Sequence, residues 1–322
     1  MTSLFLATRD GLLVCHSRDG EWQVAERQLE GRHLTGIVAG PGFILAGAVD
    51  GILRSDDGRS WTEITQGLSG KHIRWLDAHP QAPDQVFAGT EPASVFVSDD
   101  GGLSWRICDE VPELRDRFGW SLPYSPEAGC VRGFALHGNR AYAAVEVGGV
   151  LRSDDAGQTW TLAAGSDGKP SFSRPSAPLI HPDVHSIVVH PSSPDVVFAP
   201  TGGGFYRSMD GGATWELLYD CYCRACWTDP EDPQRIILGP ADGVDRNGRI
   251  ELTNDGGRHW SSASAGLDVP WPGTMVERLV SAGGELLAIL SNGRLYSSSA
   301  TLLQWRPILE SAKGVTAVAF SV

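Results

Sequence analysis

Ser55-Asp56-Asp57-Gly58-Arg59-Ser60-Trp61 and Ser98-Asp99-Asp100-Gly101-Gly102-Leu103-Ser104-Trp105 carry one signature. It returns as Ser153-Asp154-Asp155-Ala156-Gly157-Gln158-Thr159-Trp160, Ser208-Met209-Asp210-Gly211-Gly212-Ala213-Thr214-Trp215 and Thr253-Asn254-Asp255-Gly256-Gly257-Arg258-His259-Trp260. Two degenerate copies, ending at Trp22 and Trp305, bring the series to seven. Each copy follows a short apolar run, such as Gly51-Ile52-Leu53-Arg54 or Gly204-Phe205-Tyr206-Arg207, and precedes another. The pattern predicts a hairpin in which Asp and Ser bond the turn's own amides, Gly supplies positive φ and Trp covers the turn. Repeats spaced by about 40 to 50 residues are the mark of propeller blades. The expected fold is all-β, a seven-bladed propeller of four-stranded blades filling residues 1–322 as a single domain.

The signature resembles the Asp-box, or BNR, repeat of bacterial sialidases, sortilin-type receptors, xyloglucan-degrading endoglucanases and photosystem II assembly factors. The resemblance covers essentially the whole chain and implies a propeller. Its members differ in activity, so it implies no one function.

Composition narrows the partners. A net charge of −13 and a pI near 5.1 argue against nucleic acid or an anionic membrane surface, both of which need a basic face. The first ten residues lack a basic segment, and no run approaches membrane-spanning length, so a cytoplasmic protein is expected. In that compartment Cys108 and Cys130, at the feet of one long loop, are expected to remain thiols. Cys221, Cys223 and Cys226 lack a second cysteine or histidine pair at zinc-like spacing and read as small apolar filler. No cofactor is expected.

Aligning the apolar runs that follow each Trp strand gives the innermost strand of every blade. The third position of these runs reads Thr35, Arg74, Arg132, His185, Arg224, Glu277 and Thr316. The last run lies at the C-terminus, whereas the chain begins with three strands and no innermost one. The C-terminal strand should therefore complete the first blade and close the ring. Residues ending the second strands are Arg9, Val49, Glu91, Glu146, Gly202, Asp242 and Ser291. Both columns should meet at the mouth of the central channel, with the Trp-bearing turns on the opposite face.

Three readings of that mouth stand side by side. In the first, Arg74, Arg132 and Arg224 form an anion site, because a guanidinium is a planar fork suited to carboxylate, phosphate or sulfate. His185, Glu277 and Glu146 would then supply acid–base chemistry, with Glu91, Asp242 and Asp183 also contacting the ligand. In the second, each arginine pairs with the acid of its own blade, Arg74 with Glu91, Arg132 with Glu146 and Arg224 with Asp242, and merely seals the channel. In the third, Glu91, Glu146, His185 and Asp242 hold a divalent cation, against the competition of three arginines. Long loops at residues 109–129 and 163–182 are expected on the mouth side, and Trp120, Tyr124 and Trp271 are expected to form an aromatic lid.

Two functions follow. One is a soluble hydrolase or lyase acting on a small anionic or polyhydroxylated, sugar-like molecule; resemblance to the endoglucanases implies a glycosidase variant, although those relatives pair two propellers. The other is a non-catalytic scaffold for a protein partner, as resemblance to the photosystem II assembly factors implies. The arginine mouth is similar in kind to that of sialidases, but those have six blades, and no Arg-Ile-Pro motif is present here.

Overall fold

Why the chain forms blades is visible in its second strands. Phe43–Ala48 is buried at every position, because each blade is covered on both faces by its neighbours and needs an unbroken apolar run there. The computed structural model describes residues 3–18, 20–64, 66–68, 71–122 and 129–321. They form seven four-stranded antiparallel sheets, a seven-bladed propeller. Blade one joins Val315–Ser321 to Ser3–Thr8, Gly11–Arg18 and Glu21–Gln28. The innermost strands of blades two to seven are Leu34–Gly40, His72–His79, Cys130–His137, Val188–Val189, Tyr222–Asp229 and Val276–Ala282. Each touches the next, and the last touches Val315–Ser321, so the ring is closed as expected. Among the described residues no helix is long and apolar enough to cross a membrane.

The repeated turns are self-bonding. In blade three Ser98 Oγ donates to Asp100 at 2.7 Å and accepts from the Gly102 amide at 2.8 Å. Asp100 in turn accepts the amides of Leu103 and Ser104, both at 2.9 Å, and the Ser104 hydroxyl. A similar set recurs around Asp155 and Asp210, each with one amide and one threonine hydroxyl, and around Asp255, where the His259 imidazole takes the place of the hydroxyl. Burial would raise the Asp155 carboxyl, but the Thr159 hydroxyl and amide outweigh it and hold it down at about 2. Its contribution is thus complete above the ordinary Asp value of about 4 and fades as pH falls through about 2. Asp155→Ala is expected to cost about 1 kcal/mol in urea melts at pH 7, allowing for its exposure to water, and the difference from wild type should vanish below pH 2.

One device recurs at the other end of the blades. Pairing with the second strand skips Thr35, Arg74, Arg132, Glu277 and Thr316, and skips Arg224 together with Ala225. A bulge therefore sits on the aligned column in six blades, and a bulge re-aims the side chain it carries. Where the column residue is threonine, its hydroxyl satisfies carbonyls freed nearby: Thr35 donates to Ile73 O and Thr316 to Leu34 O, each in the next blade.

One expectation needs correction. The innermost strand of blade five shrinks to Val188–Val189, because Pro200 accepts the His185 amide at 2.9 Å but has no N–H to return. The described part of the long loop between blades three and four contains a helix, α1 (Glu110–Phe118), which ends on Gly119 in the left-handed region. The six cysteines are all free thiols, and five are buried.

Candidate functional site

The bulged ends gather five guanidiniums at one mouth. Arg9, Arg74, Arg132, Arg224 and Arg278 line a cavity of about 470 Å³, with Trp75 and His33 beside them and two carboxylates, Glu277 and Asp245. Glu277 is the hub. It receives Arg132 Nη2 at 2.5 Å on one oxygen and Arg224 Nη1 at 2.7 Å on the other. Burial would raise its carboxyl, yet the two arginines outweigh burial and hold it down at about 2.

The in-blade pairs expected from the sequence are present in two cases of three. Arg74 Nε lies 3.5 Å from Glu91, and Arg132 Nη1 lies 3.3 Å from Glu146. The third pairing is corrected: Arg224 turns to Glu277 of the next blade, while Asp242 bonds Arg249 at 3.2 Å and Asn247 at 2.9 Å, away from the mouth cavity. Asp242 lies on the long turn of blade six, whose Asn247 and Arg249 reach it first.

His185 is not at the surface of the mouth. Its side chain is 1% exposed, held by the Cys223 carbonyl at 2.9 Å on Nδ1, with Asp183 at 3.2 Å and the Tyr222 hydroxyl at 3.3 Å on Nε2. Asp183, two residues earlier and on the same face of the extended segment, is its ion-pair partner. Together with Glu146 these form a buried N, O, O group whose ligand atoms lie within 4.8 Å of one another.

Among the described residues the aromatic lid is not formed. Trp120 is buried against Val145 and Gly148, and its Nε1 donates to Gly168 O at 2.7 Å, so the loop folds back into the packing around blade four. Trp271 is bridged to Gly248 and packs on Tyr296 between blades six and seven. Tyr124 lies outside the described residues. The only aromatic side chain among the described residues that lines the mouth cavity, apart from the imidazole of His33, is Trp75.

Arg278 is the mouth side chain that lies outside the aligned column. It follows the bulged Glu277, and its guanidinium stacks on Trp75 at 3.7 Å from the ring centroid. Its Nη2 donates to Thr35 O at 3.2 Å, while its Nε is buried with no hydrogen-bond partner. Burial draws its pKa down to about 10, Arg132 and Arg74 adding to this and Glu277 opposing it. Among the described residues no carboxylate lies within ion-pair distance of Arg278 or Arg9. The signal was legible in the neighbouring column, Gly36, Trp75, Gly133, Ser186, Ala225, Arg278 and Ala317, where two large residues stand among small ones.

No protein-family model matches the chain. A segment of 62 residues is 32% identical to vacuolar protein sorting/targeting protein 10 of Schizosaccharomyces japonicus, covering 19% of this chain and 4% of that protein. Among solved structures, an ancestral GH74 enzyme superposes with a TM-score of 0.63 at 17% identity, covering 90% of this chain. The GH74 xyloglucanase of Xanthomonas campestris gives 0.62 at 18%, covering 88%. The chain spans only 38% and 46% of these two enzymes. YCF48 bound to D1 peptide gives 0.61 at 14% identity, and here the overlap is 92% of this chain and 87% of that one. At such identities the likeness shows the propeller fold, which glycosidases and peptide-binding proteins share.

Proposed function

We propose that the mouth is a receptor for an anionic ligand, held by Arg9, Arg74, Arg132, Arg224 and Arg278 and stacked against Trp75. The observation that carries this is a cationic cluster inside a chain of net charge −13, in which Arg278 is penalised by burial and like charges and has no carboxylate partner of its own. A bound carboxylate or phosphate would supply the missing counter-charge through charge-assisted, bidentate bonds.

Binding is better supported than turnover. A general acid or base needs a pKa near the working pH, whereas Glu277 is held at about 2 and Glu146 is lowered by Arg132 and His185 against the effect of burial. A glycosidase needs one of two opposed carboxyls to carry a proton, and neither of these does. Asp77, pushed up to about 7 by burial, does not line the cavity. The ligand's anion is a small molecule's or a peptide's; the near-complete overlap with a peptide-bound propeller favours the peptide.

Calorimetric titration with citrate and phosphate at low ionic strength tests the proposal. Arg9 is exposed and unpaired among the described residues, so Arg9→Ala should leave the fold intact and weaken citrate binding about tenfold. Absence of heat with both anions, or binding indifferent to Arg9→Ala and to Arg278→Met alike, would remove this mouth as the site.

A further inference from the structure

We propose that Glu146, Asp183 and His185 form a buried site for a divalent first-row cation such as Mn²⁺ or Zn²⁺. A carbonyl can only accept, so His185 Nδ1, 2.9 Å from Cys223 O, carries a hydrogen. With that tautomer fixed, Nε2 presents a lone pair, which has the Tyr222 hydroxyl at 3.3 Å on one side yet faces Asp183 Oδ2 at 3.2 Å. Two acceptors face each other, and only a cation between them reconciles the contact: a second proton on the ring or a metal ion. The Cys223 carbonyl is also the kind of partner that orients a metal-binding histidine.

Asp183 supplies the second observation. Its side chain is 9% exposed, and Oδ1 is buried with no hydrogen-bond partner. An orphaned carboxylate oxygen carries its full desolvation penalty, and proteins rarely leave one so. The pocket leaves no slack around that carboxylate, since a Cβ at Gly202 would lie only 2.1 Å from Asp183 Oδ2. Glu146 closes the group from the end of the second strand in the preceding blade, and its carboxyl already accepts from Arg132 and from the Cys130 thiol. One imidazole with two carboxylates suits manganese or zinc. The two carboxylates balance the charge of a divalent ion, and Arg132, 3.3 Å from Glu146, would share that carboxylate with it. The metal candidates read from the sequence are half corrected: Glu146 and His185 stay, whereas Glu91 and Asp242 are engaged by Arg74 and Arg249.

The test uses the intact chain stripped with EDTA. Calorimetry with MnCl₂ and ZnCl₂ should show one ion per chain, and saturating ion should raise the melting temperature by about 5 °C. Co²⁺ should give visible ligand-field bands. Glu146→Gln, which keeps shape, should weaken binding at least tenfold and alter the Co²⁺ spectrum even if His185→Ala fails to fold. His259→Ala, on an exposed turn of the opposite face, should change nothing. Three outcomes overturn the proposal: no ion bound at millimolar concentration, with ¹⁵N shifts reporting a doubly protonated His185; binding unaffected by Glu146→Gln; or binding lost in His259→Ala.

Discussion

Deletion of residues 315–322 is expected to leave no cooperatively folded protein. The strand Val315–Ser321 pairs with Ser3–Thr8 through six residue pairs, with a bulge at Thr316. Val315 and Ala317 are buried, and their removal would uncover Leu4, Leu6, Phe5 and Ala7, all buried in the same clusters. Each such side chain is worth about 1.5 to 3 kcal/mol when it leaves water, so a handful exceeds the roughly 5 to 15 kcal/mol by which a domain is stable. The strand also bridges the innermost strands of blades two and seven, so the loss opens the ring as well as blade one. An open ring presents bare sheet edges that invite aggregation. Circular dichroism melts and limited proteolysis check this, and an added peptide spanning residues 312–322 should restore part of the folded signal. A truncated chain melting within a few degrees of wild type would show that closure contributes little.

What the sequence disclosed follows from which contacts are local. The turn around Asp100 needs Ser98, Gly102 and Ser104 at fixed offsets, so its chemistry is written in one short stretch and survives alignment. The ring closure was legible for a related reason, since counting strands left one blade short at the start and one strand over at the end. The column Arg74, Arg132, Arg224 and Glu277 was also found, because equivalent positions in a repeat occupy equivalent places in space.

Partners across blades were not legible. Nothing in the run around Arg224 says that its guanidinium reaches Glu277 at 2.7 Å rather than Asp242, a choice made by the direction of the bulge and by Arg249 occupying Asp242 first. The bulge likewise puts Arg278 in the mouth beside Glu277, although strict alternation along a strand would send neighbours to opposite faces. Loops were the weakest part of the reading. Trp120 was placed over the mouth by the length of its loop and Trp271 by its place in the loop before blade seven, whereas both rings find more apolar surface to cover between blades.

Glu277→Gln is expected to be the most informative single substitution in the mouth. Glutamine keeps the shape but not the charge, so Arg132 and Arg224, only 11% and 17% exposed, lose their common carboxylate; Arg132 keeps Glu146, whereas Arg224 is left beside Arg132 and Arg278 without its ion-pair partner. Removing one partner of such a cluster costs about 3 kcal/mol or more, which for a chain of 322 residues corresponds to a drop in melting temperature of roughly 5 °C. The pH dependence fixes the cause. The folded-state pKa of Glu277 lies below that of the unfolded chain, near 2 against an ordinary glutamate value of about 4.3, so the carboxylate stabilises fully above the latter. That advantage disappears as pH falls through about 2, and the wild-type and variant melting curves should converge there. Sulfate or phosphate should restore much of the lost stability at pH 7, and the variant should bind these anions more tightly than wild type, because a competing negative charge has left the mouth. A variant as stable as wild type would mean that Glu277 neutralises nothing of consequence. One destabilised at pH 7 but deaf to added anions would mean that the arginines are a seal and not a receptor.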